Sequence, residues 1–87
     1  MDKYEIEKNI KNIIKRIEDK FNDIYIGFNY LPDSEAYEIW HNREDLEYES
    51  PEFKRFTGKL LYDIFLSKGI YNVFISYDYE NETRFPD

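Results

Sequence analysis

The chain has no cysteine, one histidine and three glycines among its 87 residues. Without thiols there is no disulfide framework and no thiolate metal site, which fits a reducing compartment. A lone histidine, His41, cannot assemble the usual zinc set. The glycines, at positions 27, 58 and 69, are too scattered for a phosphate-cradling loop. No apolar run approaches the ~18 residues that a membrane-spanning helix needs. The opening residues Met1-Asp2-Lys3-Tyr4-Glu5 carry no apolar leader pattern, so a cytoplasmic protein with no membrane partner is expected. One alanine and one methionine leave the core to Ile, Leu, Phe and Tyr.

What is present is enough to fold. Hydrophobic residues make 41% of the chain and aromatics 20%, which argues against disorder despite the 36% of charged residues. One compact domain over 1–87 is expected, with 80–87 as a polar tail.

Residues 3–21 predict an amphipathic helix, because Ile6, Ile10, Ile13, Ile14, Ile17 and Phe21 follow a spacing of three to four. Asp2 with Glu5 three residues later resembles a capping box. Residues 23–31 alternate in period two and predict a strand, and Pro32-Asp33-Ser34 is turn chemistry. Residues 36–41 predict a second strand, joined to the first as a hairpin. Residues 42–49 lack an apolar period and read as a charged loop. Ser50-Pro51 announces a helix to Lys68, with Gly69 just past its end and Phe53, Phe56, Leu60, Leu61 and Ile64 buried. Residues 70–79 predict the third strand.

The order α-β-β-α-β defines an α+β domain. Strand one is the most apolar, so the expected sheet is three-stranded and antiparallel, in order 2-1-3, with both helices on one face. Alternation would put Tyr25, Leu31, Trp40 and Phe74 on the other face, with Asn29, Glu38, Asn72 and Ser76 between them. That face would then contact something, including a second copy, or be covered by residues 42–49 or by the tail. Gly58, inside the second helix, is read as a position of close packing on the sheet.

The charge is concentrated. Residues 33–52 hold Asp33, Glu35, Glu38, Glu44, Asp45, Glu47, Glu49 and Glu52 against Arg43. This window carries −7, the net charge of the whole chain; elsewhere acids and bases cancel. Such a field attracts cationic surfaces and repels nucleic acid and anionic membranes. Exposed aromatics on a sheet can stack single-stranded bases, but that affinity rests on cations to hold phosphates, so direct nucleic-acid binding is not expected.

No catalytic set emerges. His41 has acidic neighbours in sequence, but no Ser or Thr sits in a nucleophile context. A glycosidase-type carboxylate pair needs a cleft, for which a chain this small has little room. The acidic run lacks the spacing and the glycine of a calcium loop. No enzyme activity, metal or cofactor is therefore expected.

In size, acidity and lack of a catalytic set, the chain resembles small inhibitory proteins of phages and mobile elements, and toxin-neutralising immunity proteins. The likeness is of kind and assigns no residue a role. The expected function is a non-catalytic inhibitor. It would block a cationic surface of a host protein, such as the groove of a nucleic-acid-binding enzyme, with carboxylates placed where phosphates lie. The expected partner-binding residues are Asp33, Glu35, Glu38, Trp40, Glu44, Asp45, Glu47, Glu49 and Glu52. The alternatives are an immunity protein or antitoxin against a basic toxin, and a module that self-associates through the open sheet face.

Overall fold

A computed structural model describes residues 1–78; the predicted polar tail 80–87 lies outside them. The described chain runs α1 (Lys3–Lys20), β1 (Ile26–Leu31), β2 (Ala36–His41), α2 (Glu44–Glu49), α3 (Pro51–Ile64), a 3-10 turn (Leu66–Lys68) and β3 (Val73–Tyr77).

The caps form where the sequence places them. The Asp2 carboxylate accepts from the Glu5 N–H at 2.8 Å, and Ser50 Oγ accepts from the Phe53 N–H at 3.1 Å. Each satisfies a main-chain donor that the first helical turn leaves over. Ile6, Ile10, Ile13 and Ile17 of α1 are buried together with Phe53 and Leu60 of α3 and with Tyr37, Ile39 and Val73 of the sheet. The register pairs Tyr37 with Val73 and Ile39 with Ile75, so these sheet residues share one face. Both long helices cover that face.

Three expectations are corrected. First, the strand order is β1-β2-β3, and β2 pairs with β3 in parallel. The sheet is mixed, with β2 at its centre. Strand one's apolar alternation supports an edge position equally well: Asn29 and Tyr30 are exposed, whereas Ala36, Tyr37, Ile39 and His41 of β2 are buried. Residues 42–72 supply the long helical crossover that parallel pairing requires. Second, residues 42–49 are not a loop, because α2 occupies most of them. Third, α3 ends at Ile64 rather than Lys68, and Phe65, outside the predicted stripe, is buried in the core. The chain closes there through the Ile70 N–H donating to the Phe65 carbonyl at 3.0 Å, with Gly69 left-handed at φ 78°. The expected β1–β2 hairpin forms, and its loop has four residues, since Leu31 pairs with Ala36.

The helix-free face carries the predicted residues. Trp40 lies opposite Gly27 on β1 and Ser76 on β3, and Glu38 lies opposite Asn29 and Phe74. Residues 42–49 do not cover this face, because Leu46 of α2 is buried in the core on the helix side. Gly27 makes room for the half-buried Trp40 on this face. A Cβ at position 27 would stand 2.5 Å from Trp40 Cζ2, so the indole lies across the glycine and fills the space a side chain would take. Gly58 is the reverse case, and the expected close packing is absent: a Cβ there meets no atom within 4 Å.

The two glycines should therefore respond in opposite ways to alanine. Gly58→Ala is expected to stabilise the fold by about 0.5–1 kcal/mol, the helix-interior cost of glycine. Gly27→Ala is expected to destabilise it by about 1–3 kcal/mol through overpacking and to red-shift Trp40 emission as the indole is displaced. Ile13, wholly buried, should cost roughly 2–5 kcal/mol on truncation to alanine. Denaturant titration followed by tryptophan fluorescence measures all three.

Candidate functional site: an acidic helix over a buried histidine

The site begins where β2 ends. Asn42 closes the β1–β2 ladder: its N–H donates to the Tyr25 carbonyl at 3.2 Å, and its Oδ1 accepts from the Tyr25 N–H at 2.9 Å. Arg43 then turns the chain into α2. Its guanidinium donates to the Asn22 and Asp23 carbonyls at 2.8 and 3.4 Å and to both carboxylate oxygens of Asp45 at 2.8 Å. The one cation in the acidic window is thus a clamp between the α1–β1 connection and the first turn of α2. The bidentate pair holds the Asp45 carboxyl down to about 2.

The other end of α2 is held by Ser50, which ends α2 and caps α3. Between the two ends Leu46 is the buried anchor. Tyr48 points outward, 69% exposed, with its ring centroid 6.1 Å from that of Tyr77 on β3 in an edge-to-face arrangement.

Beneath the helix lies His41, with no exposed surface. Its ring sits 5.0 Å from that of Phe53 and 5.9 Å from that of Tyr77. Nδ1 accepts from the Arg43 N–H at 3.2 Å, which places the proton of the neutral ring on Nε2. Among the described residues Nε2 has no hydrogen-bond partner, and it faces Glu47 Oε1 at 3.6 Å. Burial lowers the His41 pKa, and Glu47 opposes that shift without cancelling it. The second Glu47 oxygen lies 4.0 Å from Lys54 Nζ. The imidazole is thus shut off from solvent.

The predicted site residues fall into separate places. Glu44, Asp45 and Glu49 line one shallow hollow on α2 together with Tyr48. Glu47 turns inward to His41. Glu52 sits in the first turn of α3 and pairs with Lys20 of α1 at 3.1 Å. Glu38 lies on the helix-free face, where Oε2 accepts from Ser76 Oγ at 2.8 Å, and Trp40 shares that face. Asp33 and Glu35 belong to the hairpin turn at the far end of β2, about 20 Å away for six strand residues. Glu35 is left-handed at φ 51°, and its carbonyl accepts from Asn72 Nδ2 at 2.8 Å, a turn role. Among the described residues no cation pairs with Glu44 or Glu49, and no group of three or more metal-ligating side chains occurs. No described helix is long and apolar enough to cross a membrane.

Arg43 and Tyr48 were missed by the sequence reading. The Arg43 clamp acts on main-chain carbonyls and leaves no side-chain pattern. Tyr48 shows no signal beyond being an aromatic among acids. No protein-family profile, curated protein or solved structure matches the chain.

The buried histidine sets a pH dependence. Its folded pKa lies below the ordinary 6.5, so as pH falls past that value the unfolded chain takes up a proton that the folded chain refuses. Stability is therefore complete above about 6.5 and declines below it, until the folded-state pKa is reached. His41→Asn retains an acceptor for the Arg43 N–H and removes the titration. The expected result is a smaller loss of Tm between pH 7 and 5 than in the wild type. Equal losses would show that other groups carry the dependence.

Proposed function

We propose that this domain is a non-catalytic binding protein that presents α2 to a cationic surface of another protein and occupies sites meant for phosphates. The supporting observation is that, among the described residues, no cation pairs with Glu44 or Glu49, on a helix fixed at both ends. With Asp45 held by Arg43 and Glu47 turned inward to His41, the outward carboxylates are Glu44 and Glu49, ~7.5 Å apart along the helix axis, a density near one charge per two ~3.4 Å phosphate steps of a single strand. The Arg43 clamp, the shared Ser50 and the Leu46 anchor hold these charges on a rigid scaffold, which lowers the ordering cost of binding. Tyr48 adds an exposed aromatic of the kind that anchors interfaces. The nucleic-acid groove of an enzyme is the surface class that this density suits. An immunity or antitoxin role would use the same helix against a basic toxin. Asp33 and Glu35, at the opposite end of the sheet, form no part of this surface.

A second reading, self-association, rests on the helix-free sheet face, where Tyr25 and Phe74 are 48% and 40% exposed. Sedimentation that depends on concentration in the micromolar range would favour it, and a monomer throughout would remove it.

The test of the leading reading is capture from a bacterial lysate on the immobilised chain. The expected catch is a basic, nucleic-acid-binding protein, retained at ~50 mM salt and released by ~200 mM salt or by a DNA oligonucleotide. The Glu44→Lys/Glu49→Lys variant should fold normally, since exposed charges carry little stability, and should retain at least tenfold less of it. Equal retention by the variant would exclude α2 as the binding surface.

A further inference from the structure

Among the described residues β3 is an edge strand, and no element pairs with its outer side at Val73 and Ile75. Natural sheets guard such edges with lysine, proline, bulges or a covering element. Val73-Phe74-Ile75-Ser76-Tyr77 contains neither charge nor proline. The Tyr37 N–H donates to the Asn72 carbonyl, and the Asp78 N–H donates to the His41 carbonyl. In a parallel ladder this phase turns the even-numbered residues toward β2 and aims the N–H and C=O of Val73 and Ile75 outward. Among the described residues those outward groups meet no partner strand, since β3 is last in the sheet.

A hollow of about 320 Å³ runs beside this edge. Val73, Phe74 and Ile75 line one side, and Phe53, Thr57, Gly58 and Leu61 line the α3 side, with Glu47 and Lys54 also on its wall. Gly58 is the informative residue. It weakens the helix, and a side chain there would meet nothing, so packing within the fold does not call for a glycine. It keeps open the wall that faces the strand edge.

We infer that the free edge of β3 and the hollow against α3 accept an extended polypeptide segment of a partner protein as a fourth strand. Main-chain groups of Val73 and Ile75 supply the hydrogen bonds, and the hollow receives alternate apolar side chains, the usual division of labour in strand addition. From Phe53 to Leu61 α3 rises about 12 Å, which matches roughly four residues of extended chain. Lys54, with 62% of its side chain exposed, places a cation at the Glu47 end, so an acidic residue in that part of the segment complements it. A second copy fits less well. Its own β3 would lie ~4.8 Å away, while the α3 helix it brings needs 8–10 Å from its neighbour and carries a second Lys54 to the same hollow. This site is separate from the acidic face of α2 and stands without it.

The test uses the full chain and a displayed library of random ten-residue peptides as the probe. Enriched peptides are expected to alternate apolar residues and to carry an acidic residue. On binding they should slow hydrogen exchange at the Val73 and Ile75 amides at least tenfold. Gly58→Leu fills the hollow and restores a strong helix former, so it should bind at least tenfold more weakly with an unchanged or higher Tm. Three results would overturn the inference: no enrichment, peptides that leave those two amides exchanging freely, or equal binding by Gly58→Leu. Protection of both amides in the isolated chain would also overturn it, because the edge would then be occupied by the tail or by a second copy.

Discussion

The parallel pairing of β2 with β3 is the constraint from which the rest of the molecule follows. A parallel neighbour cannot be reached by a tight turn, so residues 42–72 must cross the sheet and return. That crossover contains α2 and α3, and α3 shares its core with α1 on one face. β2 is thereby enclosed on both edges, which is why it carries Tyr37, Ile39 and His41 inward and Trp40 outward over Gly27. Among the described residues, the same arrangement leaves β3 at an edge and the opposite sheet face without a helix.

The start of the crossover is also where the acidic helix is built. His41 ends β2, and Arg43, two residues on, donates its N–H to the imidazole and its guanidinium to the Asn22 and Asp23 carbonyls and to Asp45. A helix of six residues is too short to be stable alone. Leu46, the Arg43 clamp and Ser50 supply what the isolated segment lacks, so α2 is a product of its tertiary surroundings. Its outward side is then free to carry charges that no internal need explains, Glu44 and Glu49 above all.

Periodicity made the long elements readable. Ile6, Ile10, Ile13 and Ile17 repeat over enough turns to define a buried stripe, and Ser50-Pro51 marks a helix start by chemistry that is local to the chain. Alternation placed Trp40 on the helix-free face. Strand order was not readable, because the choice between antiparallel and parallel pairing depends on how the crossover packs and not on the strands' own residues. α2 escaped because one apolar residue, Leu46, cannot show a period. The acidic window looked continuous in sequence, yet the rise of β2 separates Asp33 and Glu35 from Glu44 and Glu49. Gly58 was misread because sequence alone does not tell a glycine in tight packing from one beside open space.

The claim that rests most heavily on this geometry is that charge acts from α2 rather than from the acidic residues as a whole. A titration of the labelled chain with an arginine-rich peptide, followed amide by amide by NMR, tests it directly. Saturable shifts centred on residues 44–49, lost at moderate salt, are expected. Shifts of equal size at Asp33 and Glu35, or spread evenly over every exposed carboxylate, would contradict it.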